Sequence, residues 1–299
     1  MISAARRVSS PGSGVVPDNI QHLLIVWSLP LIPFDAVLAY LATGVVAGFF
    51  AGLLGVGGGV VVVPVLSIIF TGLGFPAGEV LHLALGTSMA TILFTSMSSL
   101  RAHHAHQAVL WPVMRALTPG ILVGTLLGAQ LAARISSRSL ALFFAGFMIF
   151  VAVQMVANLR PKPSHALPVF AGLSLAGLVI GAIASLAAMG GGALTVPYLI
   201  RCNITPHQAI GTSAAVGLPI AFGGTVGYIW NALAHTSLPP GSLGFVYLPA
   251  LGVILLASVF AAPLGARLAH RLPVKVLKRI FAGLLLVLSA KMLWSLYAV

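Results

Sequence analysis

Gly52-Leu-Leu-Gly55-Val-Gly57-Gly58-Gly59-Val-Val-Val-Val-Pro64 is the stretch on which the fold turns. Apolar sequence runs into it from residue 36 and out of it to Thr71. At 1.5 Å per residue, one unbroken helix over 36–71 would be about 54 Å long, against about 30 Å of bilayer hydrocarbon. The chain is therefore expected to break at the glycines. A helix restarted there begins with backbone N–H groups that its own carbonyls do not satisfy, and with the positive end of its dipole aimed into the protein. Such an end attracts anions. The competing use of the same glycines is close packing, since small residues three or four apart let helix backbones approach.

The stretch has an echo. Gly190-Gly191-Gly192 followed by Pro197 repeats Gly57-Gly58-Gly59 followed by Pro64. His82-Leu-Ala-Leu-Gly86-Thr87-Ser88 returns as His207-Gln-Ala-Ile-Gly211-Thr212-Ser213. Gly128-Ala129 with Arg134 returns as Gly265-Ala266 with Arg271, and Phe144-Ala145-Gly146 as Phe281-Ala282-Gly283. Four landmarks in one order mark an internal duplication, and a duplication decides the architecture. Its boundary falls at the polar break Arg160-Pro161-Lys162-Pro163. The expected organisation is a flexible or interfacial leader over 1–34, a first transmembrane repeat over 35–160 and a second over 161–299.

Composition agrees with a membrane protein. Of 299 residues 59% are hydrophobic and 6% charged, where soluble domains carry about a quarter charged. Apolar stretches long enough to cross a bilayer lie at 36–56, 79–99, 113–133, 139–158, 167–188, 207–230, 244–266 and 280–298. The expected fold is all-α, with about eight transmembrane helices arranged as two four-span repeats, the first span of each broken at its glycines. Basic residues align between the repeats, Arg134 and Arg138 against Arg271 and Lys275. If both loops obey the positive-inside rule, the repeats run parallel and both termini lie outside. The apolar part of the leader, Leu23 to Pro33, is short and carries Pro30 and Pro33, and no cleavable-signal order follows Arg6 and Arg7.

The net charge of +12 lies between the apolar stretches rather than in a solvated domain. It reads as a topology signal and not as a nucleic-acid surface. One cysteine, Cys202, allows no internal disulfide and no thiol-rich metal site. Three carboxylates in the whole chain leave almost no inventory for a triad or a metal centre. No ATP-binding motif is present: the glycines lack the P-loop lysine and the Rossmann context. No cofactor, metal or enzymatic activity is expected, and a secondary transporter is the leading class. Its rivals are a membrane-embedded enzyme built on a Ser/His pair, and a channel or structural subunit, which would show no saturable substrate site.

The Gly52–Pro64 pattern, its echo at Gly190–Pro197 and the Gly-Thr-Ser after each resemble the TauE/SafE family of anion permeases, over about 36–299 of this chain. The resemblance implies a multi-span transporter in a bacterial-type cytoplasmic membrane, exporting sulfur-containing oxyanions or organosulfonates. The second motif departs from the first, with Ala187-Ala188-Met189 before its glycines. Local chemistry alone admits another small anion such as a carboxylate or phosphate. The expected partners are a small anionic substrate and membrane lipid, with no nucleic acid, and the sequence admits a homo-oligomer.

The candidate substrate-binding residues are the two triplets, Gly57, Gly58, Gly59 and Gly190, Gly191, Gly192, with the hydroxyls Thr87, Ser88, Thr212 and Ser213. Ser88, Thr91, Thr95, Ser98 and Ser99 fall near one helical face and offer a polar path. Hydroxyls in membrane helices also bond carbonyls of their own helix. Glu79, His82 and His207 are the proton-coupling candidates, because an imidazole exchanges protons near neutral pH. The matched histidines serve equally well as markers of where a helix enters the interface. Arg101, His103, His104 and His106 read as a solvated basic loop, with no Cys, Asp or Glu nearby to complete a metal site. No carboxylate stands near the middle of an expected span, which disfavours a cation pump.

Overall fold

The computed structural model describes residues 33–54, 58–157, 166–233, 238–269 and 274–297. The expected leader therefore lies outside the described residues, except for its last two positions. Among these residues ten helices follow one another: α1 Phe34–Leu54, α2 Gly59–Gly72, α3 Val80–Ala105, α4 Trp111–Arg134, α5 Ser137–Val156, α6 Phe170–Leu186, α7 Gly192–Arg201, α8 Pro206–Ala232, α9 Leu248–Ala269 and α10 Val274–Tyr297. Each of the eight expected apolar stretches carries a helix. Among the described residues six segments are long and apolar enough to cross a membrane: Phe34–Gly52 in α1, α3, α4, α5, α8 and Leu248–Gly265 in α9. The apolar helices α2 and α6 are shorter. One short β-hairpin, β1 Ser242–Leu243 with β2 Val246–Tyr247, leads into α9.

The chain breaks at both glycine triplets, as the length argument requires. After the first break it turns back. A Cβ at Gly58 would lie 2.7 Å from the carbonyl oxygen of Ala47, in the middle of α1. Further along, Phe70 near the end of α2 meets Tyr40 near the start of α1 edge to face, with ring centroids 6.5 Å apart. So α2 is a short helix that starts at mid-height of α1 and runs antiparallel to it. It ends at Leu73 with left-handed Gly74, whose N–H reaches Thr71 while that of Phe75 reaches Phe70. The end of α7 repeats this with Asn203 and Ile204, so both are Schellman terminations.

Glycine stripes set the long-range packing. Gly44, Gly48 and Gly52 of α1 press on Ile254, Ser258 and Ala262 of α9. Gly120, Gly124 and Gly128 of α4 press on Ser174, Leu178 and Ala182 of α6. Both pairs advance together and are parallel, and the four-residue glycine spacing brings the backbones into contact. These contacts exchange the halves: the first span of each repeat packs on the third of the other.

The matched helices α3 and α8 run in opposite directions. Gly217 faces Ser96, Gly224 faces Met89, and Gly211 faces Ala108 just beyond α3. Repeats related in parallel fashion would place these helices side by side in the same sense. The relation is that of an inverted duplication, which corrects the parallel pair expected from the basic loops. The physical reason is α2: with it, the described residues of each half form five segments of alternating direction, an odd number, and the second half starts from the opposite end.

Candidate functional site

The two breaks meet. A Cβ at Gly59, the first residue of α2, would collide with the carbonyl oxygen of Ala188, two residues before the second triplet, and would lie 2.8 Å from Ser88 Oγ. Local sequence explains each break. Gly58 precedes α2 at φ 71, in the left-handed region that glycine enters at no cost. α6 ends in a Schellman motif with left-handed Ala188 at φ 39, the N–H of Ala188 reaching Ser185 and that of Met189 reaching Ala184. Gly191 then precedes α7 at φ −55. The short helices α2 and α7 thus start close together in the interior, and Gly58, Gly59, Gly190 and Gly191 are all buried. Gly57 lies outside the described residues.

The four candidate hydroxyls are buried and divide into two jobs. Thr87 Oγ1 accepts the backbone N–H of Tyr247, and Thr212 Oγ1 accepts that of Leu110, each at 2.9 Å. Tyr247 and Leu110 are the residues directly before α9 and α4, so each Thr ties down the entry of the opposite half's third span. Gly86 and Gly211 support the same joints from beside Phe245 and Ala108. The serines stand beside the breaks, Ser88 by its side chain and Ser213 by its backbone. Ser88 Oγ donates to the Gly59 carbonyl at 3.3 Å, and the Ser213 carbonyl lies 2.9 Å from where a Gly191 Cβ would be. Ser213 Oγ itself is buried with no partner. On the expected hydroxyl stripe, Thr91 and Thr95 bond the carbonyls of Thr87 and Thr91 in their own helix.

The histidines, matched in sequence, are unlike in place. His82 is buried, stacked on Phe245, with Nε2 3.0 Å from the Ala132 carbonyl. Its Nδ1 is 3.1 Å from the Gly78 carbonyl and 3.3 Å from Ser137 Oγ. Ser137 Oγ donates to the Gly78 carbonyl, so both ring nitrogens face carbonyl oxygens, Ala132 at Nε2 and Gly78 at Nδ1. Glu79, half-buried, is the residue directly before α3. His207 is exposed, close enough to His103 for their charges to interact, with His106 beside them. His104 meets Trp111 edge to face. Among the described residues no group of three or more potential ligands could hold a metal.

Thr195 and Ser96 escaped the sequence reading, and Gly217 stood out there only as one of the glycines that replace the hydroxyl stripe in the second half. Thr195, in the first turn of α7, is fully buried and its Oγ1 has no partner. Gly217 of α8 borders the same spot, and Ser96 of α3 faces it. Aligning the halves residue by residue was the available signal, since Thr195 stands where the first half has Val62, and Gly217 where it has Ile92.

The family model for the sulfite exporter TauE/SafE matches residues 40–292. A probable membrane transporter protein of Haemophilus influenzae is 35% identical over 87% of this chain and 98% of its own length. A probable membrane transporter protein of Methanocaldococcus jannaschii is 26% identical over 84% of this chain and 92% of its own. The Bacillus subtilis probable membrane transporter protein YunE is 23% identical, over 84% and 95%. No solved structure matches the chain. With its run of apolar helices and this match over nearly its full length, the chain is an integral membrane protein and belongs to the sulfite exporter TauE/SafE family.

Proposed function

We propose that the protein is a secondary transporter that exports a small sulfur-containing oxyanion or organosulfonate across the cytoplasmic membrane, and that it catalyses no reaction. The observation that carries this reading is the meeting of two oppositely directed helix N-termini in the interior, at Gly59 and Gly192. Half-helices that start at the midplane at the interface of inverted repeats are a transporter device, and their N-termini suit anions. Family membership selects sulfur oxyanions from the wider set of small anions. In this reading Gly57 to Gly59 and Gly190 to Gly192 supply backbone donors, with Ser88 and Ser213 beside them and Thr87 and Thr212 holding the frame.

Helix direction also suggests the orientation. Arg101, Arg115, Arg201, Arg267, Lys275, Lys278 and Arg279 fall toward one end of the helices. Arg134, Arg138 and Lys291 fall toward the other, together with Asp35 and Glu79. By the positive-inside rule the first end is cytoplasmic. The loop at Arg134 to Arg138 then faces outward, and both α1 and α10 have their chain-terminal ends on the outer side.

Counterflow in proteoliposomes tests the function. Preloaded unlabelled sulfite or taurine is expected to drive uptake of labelled sulfite, saturably and without ATP. Equal exchange of a neutral solute, with no anion response, would remove the reading.

A further inference from the structure

Resting on the anion-transport reading, we propose that the two breaks are not equivalent: the oxyanion is held at the second one, by Thr195, Ser96 and Ser213 around the start of α7, and it is carried as a monovalent anion. At the first break the space is filled by the Ala188 carbonyl, the Ile92 side chain and Ser88 Oγ. The Ile92 side chain presses directly on Gly59, and the position matching Thr195 is Val62, fully buried. Ser88, the one hydroxyl there, already donates to the Gly59 carbonyl.

At the second break Val216 Cγ1 and Thr195 Oγ1 each lie 3.2 Å from where a Gly191 Cβ would sit, and two positions differ in kind from the first. Gly217 replaces the isoleucine. A Cβ on it would lie 3.0 Å from Ser96 Oγ and 3.8 Å from the backbone nitrogen of Gly191, so the serine and the start of α7 border one gap. Thr195 Oγ1 points to the same place, 3.2 Å from where a Gly191 Cβ would sit. Thr195 and Ser213 are 0% and 2% exposed, and both hydroxyls lack a partner. An unpaired buried hydroxyl costs stability, and Thr195 Oγ1 in the first turn of α7 is accounted for by an acceptor that comes and goes. An oxyanion is that acceptor: its oxygens take O–H and N–H donors and offer none back.

The charge of the cargo follows from what is missing around the gap. In α2, α3, α6, α7 and α8 the Lys and Arg residues are Arg101 and Arg201, both exposed and toward helix ends. Dipoles and hydroxyls must then replace the whole hydration shell. The desolvation cost of an ion grows with the square of its charge, so a second charge is much harder to hold than the first.

Methanesulfonate and sulfate share an oxygen-rich sulfur head and differ in charge, which makes them the probes. The full chain is studied twice, by counterflow in proteoliposomes and by the rise in melting temperature on adding each salt in detergent. Methanesulfonate is expected to stabilise and exchange at concentrations about tenfold or more below those needed for sulfate. Thr195→Val should weaken methanesulfonate about tenfold or more, a loss of one charged-group hydrogen bond, with Thr195→Ser restoring it. Gly217→Ile should close the gap as Ile92 closes the first, and Val62→Thr should change neither readout. Equal responses to both salts, or equal losses from Thr195→Val and Val62→Thr, would overturn the proposal. Undiminished exchange in Thr195→Val removes the site but keeps the transporter. A methanesulfonate-dependent shift that Thr195→Val abolishes, without exchange in the unaltered protein, keeps the site and removes the transporter. With neither shift nor exchange, both fall.

Discussion

Thr212 Oγ1 holds the backbone N–H of Leu110 at 2.9 Å, across 102 residues of chain. The same bond recurs between Thr87 and Tyr247, across 160 residues. Leu110-Trp111-Pro112 and Tyr247-Leu248-Pro249 open the two matched helices α4 and α9. Each bond therefore crosses between the halves, and together they join them at two related points. The Thr of each Gly-Thr-Ser is repeated in sequence because the joint it makes is repeated in space.

Removing either acceptor strands a backbone donor at the joint, which costs about 1–3 kcal/mol. Thr87→Val and Thr212→Val should each lower the melting temperature of the detergent-solubilised protein, and Thr→Ser should recover most of the loss. A fully stable Thr87→Val protein that has lost transport would move that hydroxyl from the frame to the substrate.

The inverted arrangement predicts that Ser137, at the start of α5, and Val274, at the start of α10, face opposite sides of the membrane. Cys202 is the only cysteine, so a Cys202→Ser background is cysteine-free after one change. Single cysteines at Ser137 and Val274 should be labelled by an impermeant maleimide from opposite faces, Ser137 from outside. Labelling of both from one face would restore the parallel model.

Much of the fold was readable because a bilayer permits few solutions. The eight helical stretches follow from hydropathy, and the breaks follow from the excess length of 36–71 and the glycines within it. Direction was not readable, because α2 has only 14 residues and looks like the tail of a span rather than a segment running back. Once it reverses the chain, Arg138 and Lys275 are aligned in sequence yet fall at opposite ends of the helices. The site was half readable. Glycine triplets and Gly-Thr-Ser stand out as repeats, whereas Thr195 stands out by breaking the repeat, and a search for identities passes over it. The partners of Thr87 and Thr212 were out of reach, since nothing local in sequence says which distant N–H needs an acceptor.

Gly58 and Gly191 should respond differently to substitution. Gly58 has φ 71 and an Ala47 carbonyl 2.7 Å from any Cβ, so Gly58→Val adds strain to a clash and should destabilise the protein as well as stop transport. Gly191 has φ −55, which any residue adopts, and its Cβ would meet the Ser213 carbonyl and Thr195. Gly191→Val should therefore insert and fold with a smaller loss of melting temperature while abolishing counterflow. Equal loss of stability in the two would show that Gly191 is needed for packing alone.

The pH response of transport should run through His207 and leave His82 aside. His82 is buried, its Nε2 3.0 Å from the Ala132 carbonyl and its Nδ1 3.1 Å from the Gly78 carbonyl, so the ring ties α3 to the end of α4. His207 is exposed at the start of α8 and interacts with His103, whose other neighbour is His106. These rings stand at the proposed cytoplasmic end, and positive charge there raises the potential that an arriving cytoplasmic anion meets. Lowering pH through the histidine range should thus speed loading from that side. His207→Gln should flatten the pH profile of export, and a further His103→Gln should flatten it more. His82→Gln should lower the melting temperature and leave the profile's shape intact. Stability assays on each variant keep the two effects apart. A profile that follows His82 and ignores His207 would reverse the assignment and make the buried ring the proton carrier.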